Sequence, residues 1–155
     1  MKKRGYYYFS GLKHALTVGI NHYAEDTEER TLFFKEQSHL IAGTMLVSVF
    51  SYLESTLGKN WIERCGGKQQ RELQCLKFIR DAFVHSNGHL RDLGSHTQEK
   101  ENELRSFIND LENGKILDDK KKVYPCYIQI TDDGVVKLNE EAIQILSALG
   151  KAICH

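Results

Sequence analysis

Apolar positions recur at helical spacing along most of the 155-residue chain and change to alternation once, late in the sequence. The first periodic stretch starts near Ser10, a suitable N-cap. Leu12, Ala15, Leu16, Gly19, Ile20 and Tyr23 form its apolar stripe, with Lys13 and His14 off it. The acidic run at 24–30 interrupts this pattern, and Asp26 with Glu29 reads as a capping box for the next helix. That helix runs to about Leu57. Ala42, Met45, Leu46, Val49, Phe50, Leu53 and Leu57 form its buried stripe, widened by Ile41 and Val47, so it is expected to be central. Gly58 supplies a stop, and Gly66-Gly67 marks a loop.

A third helix is expected over roughly Gln69 to His85, with Leu73, Leu76, Ile79, Phe83 and Val84 inward and Asn87-Gly88 as its end. After a polar loop, Ser95 with Gln98 caps a fourth helix. It carries Leu104, Phe107, Ile108 and Leu111 and stops at Asn113-Gly114. The charged run at 118–122 reads as a solvated loop. The period then becomes two. YIQIT and VVKL flank Asp133-Gly134, which signals a hairpin with a two-residue turn at about 127–138. Asn139 caps a last helix over about 139–154, with Ala142, Ile143, Leu146, Leu149 and Ile153 inward. No repeat or linker is evident, so residues 1–155 read as one helical domain.

Charge and composition narrow the function classes. Lys plus Arg is 21 and Asp plus Glu is 21, so no bulk electrostatic footprint for duplex DNA or an anionic membrane exists, though a local basic groove is compatible with this balance. A hydrophobic fraction of 41% excludes a largely disordered chain. The single proline, Pro125, suits long helices. Cys65, Cys75, Cys126 and Cys154 form neither a disulfide framework nor a zinc signature, which reads as reduced thiols in a cytoplasmic protein. The N-terminus lacks the apolar core of a signal peptide, and no window is expected to approach the ~18 apolar residues of a spanning helix.

The segment Phe78 to Gly88 carries the candidate chemistry. Arg80 and His85 stand five residues apart at a helix end, which is ~140° around an ideal helix, so they splay unless the last turn unwinds. Asn87 returns to within ~20° of Arg80 if the helix continues. Arg offers a permanent cation with a fork suited to phosphate oxygens, and His transfers protons near neutral pH. Together they suit cleavage of an RNA phosphodiester. One group activates the 2′-hydroxyl or protonates the leaving 5′-oxygen while the other holds the phosphate charge, with no metal. The spacing alone is weak evidence, because Arg91 and His96 share it in a loop. A surface Arg with a His interacting with the last helical carbonyls is the competing structural reading.

The run Arg80-Asp81-Ala82-Phe83-Val84-His85-Ser86-Asn87-Gly88, preceded by the apolar helix ending Val47-Ser48-Val49-Phe50-Ser51-Tyr52-Leu53-Glu54-Ser55, resembles the HEPN superfamily. The resemblance implies an all-α, up-and-down helical bundle, here with a small β-hairpin before the C-terminal helix. It implies a metal-independent endoribonuclease without cofactor, active as a homodimer in which two Arg/His motifs meet, in toxin–antitoxin or phage-defence systems. Partners would be RNA and, in some systems, an antitoxin or effector protein. Arg80 and His85 carry over as the catalytic pair. Glu54, at the edge of the buried stripe, would orient one of them; Asp81 fits the polar position after the Arg; Ser86 and Asn87 are candidate phosphate or base contacts. A toxin subgroup carries Tyr two residues after the His, where this chain has Asn87, which argues against regulation at that position. Superfamily members without nuclease activity leave a non-catalytic RNA-binding, nucleotide-binding or dimerisation module as the alternative.

The remaining features read as structural. His14 and His22 lie on one helical face without acidic or thiol companions, and Gly88 separates His85 from His89. Tyr6-Tyr7-Tyr8-Phe9 suits a core edge or dimer contact more than base stacking.

Overall fold

The computed structural model describes residue 14 and residues 27–90, 97–114 and 126–153. The expected first helix (His14 apart), the Ser95 cap, the Arg91/His96 pair, the 118–122 loop and Cys154 lie outside the described residues. So do the side chains of Leu149 and Ile153.

Among the described residues the order is α1 (Thr27–Leu57), a 3₁₀ turn (Ile62–Arg64), α2 (Gly67–Ser86), α3 (Thr97–Glu112), β1 (Ile128–Ile130), β2 (Val136–Leu138) and α4 (Glu140–Ile153). The protein is mostly helical with a small antiparallel hairpin. The chain divides into two compact units. One comprises residues 1–53 with 138–155, and the other residues 54–137.

In the first unit, α1 buries Ala42, Met45, Leu46, Val49, Phe50 and Leu53, the stripe that the sequence spacing predicts. Residues His39–Leu57 also reach the length and mean hydropathy (1.4) of a spanning helix, contrary to the expectation that no window would. Thr44 and Ser48 return their hydroxyls to the carbonyls of Leu40 and Thr44, which lets an apolar helix carry hydroxyl side chains on its exposed side. Asn139 caps α4 as expected: its Oδ1 accepts the Glu141 N–H at 3.1 Å, and Ala142, Ile143 and Leu146 are buried.

The second unit holds the candidate site. Its core is Trp61 and Ile62 from the 3₁₀ turn, Leu73, Cys75, Leu76, Phe78, Ile79 and Ala82 from α2, Leu104, Phe107 and Leu111 from α3, and Tyr127, Ile128 and Val136 around the hairpin. Gly58 ends α1 in the left-handed region (φ 87°), its N–H donating to the Glu54 carbonyl at 3.0 Å. The inward stripe of α2 stops a turn sooner than expected. Ala82 is its last fully buried residue, Phe83 is half-buried, and Val84 is 51% exposed, because the core ends before the helix does. Ile108 is likewise half-buried.

The hairpin turn also differs from expectation. Gly134 (φ 81°) is its left-handed residue, and its N–H donates to the Thr131 carbonyl at 2.9 Å, while Thr131 N–H reaches the Val135 carbonyl at 2.9 Å. This is a three-residue loop, a tight turn over Asp132 and Asp133 followed by a bulged glycine. A two-residue type I′ turn would need positive φ at Asp133 as well, and Asp133 does not adopt it. Thr131 fixes the loop by accepting the Val135 N–H on Oγ1 at 3.1 Å.

The chain leaving α2 pairs with the same hairpin. Val136 N–H donates to the Gly88 carbonyl at 2.9 Å, Leu90 N–H to the Gly134 carbonyl at 3.0 Å, and His89 bridges Val135 in antiparallel sense. Residues 88–90 are thus tied to the two-stranded hairpin by an isolated bridge and its backbone hydrogen bonds, which anchors the end of α2.

Candidate functional site

Arg80 lies on the second-last turn of α2 with only 15% of its side chain exposed. Its guanidinium forms a fork-to-fork pair with Glu54, Nη2 to Oε1 at 2.8 Å and Nη1 to Oε2 at 3.4 Å. Asp81 Oδ1 approaches the Nε edge at 2.9 Å. The two carboxylates differ in exposure, 26% for Glu54 and 34% for Asp81. Glu54, expected at the stripe's edge to orient Arg80 or His85, is paired with Arg80.

His85 is exposed on the last turn of α2, beside exposed Val84. The helix stays wound through Ser86, so five intact steps hold Arg80 and His85 ~140° apart around its axis. The unwinding that would bring them to one face within a single chain does not occur. What replaces it is a sharp stop. Asn87 and Gly88 both adopt left-handed conformations (φ 51° and 89°), and both backbone N–H groups turn back to the Ala82 carbonyl. Asn is among the few side chains that tolerate this region, because its amide bonds locally and its Cβ crowding is modest. Leaving the helix there also removes the geometric reason for expecting Asn87 on the Arg80 face. Asn87 is exposed at the turn. Ser86 presents no hydroxyl to a ligand: its Oγ is buried and lacks a hydrogen-bond partner.

A second charged cluster, not anticipated from the sequence, sits on the other side of α2. Arg71 donates from Nε to Glu103, from Nη1 to Asp110 Oδ2 at 2.8 Å and from Nη2 to Ser106 Oγ at 3.1 Å. It stacks over the Phe107 ring at 5.6 Å. Hydrogen bonds to Asp110 and Glu103 raise the Arg71 pKa further, against the effect of burial. The available signal was the spacing of Glu103, Ser106 and Asp110, which places three acceptors on one face of α3. Next to it, Glu72 accepts the Tyr127 hydroxyl at 3.0 Å, and burial pushes its carboxyl up more than that bond lowers it. Cys75 is pushed up to about 12, by burial first and then by the Glu103 charge, so it is an inert thiol.

Among the described residues no group of three or more His, Cys, Asp or Glu side chains is placed to hold a metal ion. A groove of about 420 Å³ lies between α3 and β1, lined by Arg105, Ile108, Glu112 and Ile130 among others, away from Arg80 and His85. No family model, curated protein or solved structure matches the chain.

Proposed function

We propose that the protein is a metal-independent endoribonuclease that works as a homodimer in the cytoplasm, within a toxin–antitoxin or phage-defence system. The observation that carries this reading is an exposed imidazole on a rigidly terminated helix end, one turn beyond an arginine held in a fixed orientation. The two groups face different directions in one chain, so a single copy is chemically incomplete. Two copies apposed through the α2 ends bring an Arg80 and a His85 from each to one phosphate. One His85 takes the 2′-hydroxyl proton as the 2′-oxygen attacks phosphorus. The His85 of the second copy gives a proton to the departing 5′-oxygen. Arg80 holds the charge on the non-bridging oxygens. The products are a 2′,3′-cyclic phosphate and a 5′-hydroxyl.

The test is cleavage of labelled RNA by purified protein in chelator, beside His85→Ala and Arg80→Ala. Expected are cyclic-phosphate ends from wild type and a loss of about 100-fold or more in each variant. Cleavage by His85→Ala at the wild-type rate overturns the reading. The close pairing of Arg80 with two carboxylates favours a second reading, a non-catalytic RNA-binding or dimerisation module. RNA binding without cleavage would select it.

A further inference from the structure

Among the described residues the Arg80 guanidinium is paired with two carboxylates, Glu54 and Asp81. A phosphate approaching the guanidinium meets net negative charge unless one carboxylate withdraws. The geometry assigns different roles to the two. Glu54 comes from α1, engages both Nη atoms and is the less exposed, which makes it the fixed arm that sets the plane of the fork. Asp81 follows Arg80 on the same helix, touches only the Nε edge and is the more exposed of the two. Of the two carboxylates, the Asp81 side chain has the shorter way into water.

We propose that Asp81 is a displaceable counter-ion that occupies the phosphate position on Arg80 until an RNA strand replaces it, and that Glu54 stays in place as the positioning residue. Asp81 is held at the Nε edge by charge at 2.9 Å without a hydrogen bond, so a phosphate oxygen arriving there replaces one anion by another while Asp81 regains hydration. The device discriminates against weak anions. Free phosphate or a mononucleotide must displace Asp81 with one contact, whereas a strand brings several phosphates. The inference rests on the RNA-directed reading of the site, and its primary measurement, RNA affinity, does not depend on turnover.

The experiment measures binding of a fluorescein-labelled, 2′-O-methyl RNA 12-mer by anisotropy, with inorganic phosphate as competitor. The proteins are wild type, Asp81→Asn, Glu54→Gln, Arg80→Ala and the Asp81→Asn/Arg80→Ala double variant. Glu63→Gln, an exposed acid on the 3₁₀ turn, controls for net charge. Expected is roughly fivefold tighter RNA binding and stronger phosphate competition for Asp81→Asn. The gain should vanish without Arg80, Glu63→Gln should change little, and Glu54→Gln should bind more weakly. On cleavable RNA, Asp81→Asn should lower KM. Unchanged or weaker binding by Asp81→Asn, or a gain that persists without Arg80, overturns the inference even if wild type cleaves RNA. Tighter, Arg80-dependent binding with no cleavage by any protein upholds the counter-ion role and overturns the ribonuclease reading alone.

Discussion

Arg71 and Arg80 are nine residues apart on α2, so nine steps of about 100° set them on opposite faces of one helix. Both are held by carboxylates, and the differences lie in how. Arg71 spends Nε, Nη1 and Nη2 on three acceptors of one neighbouring helix and lays its plane on Phe107. Every described partner of Arg71 belongs to α3, so the cluster fastens α2 to α3. Arg80 is more enclosed, 15% exposed against 35% for Arg71. Yet its partners come from two places, one fixed on α1 and one on its own helix beside the exposed His85. Carboxylate pairing by itself therefore does not separate a staple from the ligand-holding role proposed for Arg80. The separating features are the source of the partners and what stands at the end of the helix.

The strongest way to break the comparison is to truncate each arginine in turn. Arg80→Ala is expected to lower RNA cleavage about 100-fold or more. Arg71→Ala is expected to keep kcat/KM within about threefold and to lose roughly 1–2 kcal/mol of stability in urea, a figure held down by solvent screening at a residue 35% exposed. Equal loss of cleavage in both variants would show that Arg80 acts through folding rather than at the phosphate.

A smaller effect compares the two ends of the helix. Gly67 opens α2 with φ 52° and open space where a Cβ would sit. Gly88, just past the other end, has φ 89°, and an added Cβ would lie 3.4 Å from the Val136 carbonyl oxygen and 3.5 Å from the Val135 side chain. Both substitutions to Ala meet the left-handed penalty of about 1–2 kcal/mol. The Gly88 distances are ordinary van der Waals contacts, but only Gly88 hydrogen-bonds both the helix end and the hairpin, so backbone strain there reaches the segment that anchors the His85 end. It is expected to unfold at lower urea than Gly67→Ala and to be the only one of the two that slows cleavage. Matching behaviour of the two variants would mean that the hairpin plays no part in presenting His85.

How much of this was legible before the fold varies by the range of the interaction. Leu73, Leu76 and Ile79 were readable because burial along one helix face is periodic, as was the Asn139 cap, a contact between residues two apart. Glu54 was readable as a boundary residue of the α1 stripe, although the sequence did not choose between Arg80 and His85 as its partner. Val84 was misplaced because a period says which side faces inward but not where the core stops. The hairpin's existence was local information, whereas its turn type depended on Thr131 accepting the Val135 N–H. The Arg71 cluster spans 32 to 39 residues of sequence separation, which no local pattern reports. The pairing of Gly88 and Leu90 with the hairpin is longer still, and it turns a helix stop into a braced end.

The smallest expected effect sharpens the Arg71 side through its neighbour Glu72. The Glu72 carboxyl is raised by burial, with the Tyr127 hydroxyl bond opposing. A raised folded-state value means that folding favours the protonated form over the unfolded chain, where an ordinary carboxyl titrates near 4.5. The stability this group contributes is thus complete below about pH 4.5 and is lost as pH rises through its folded value. Glu72→Gln keeps a carbonyl oxygen to accept the Tyr127 hydroxyl but cannot ionise. Urea unfolding of the two proteins should coincide near pH 4 and separate as pH rises to 8, with Glu72→Gln the more stable. A stability gap that stays constant from pH 4 to 8 would mean that the Tyr127 bond offsets burial, and one that comes to favour wild type by pH 8 would mean that it outweighs burial. The Arg71 side of α2 would then also hold a strongly stabilised anion.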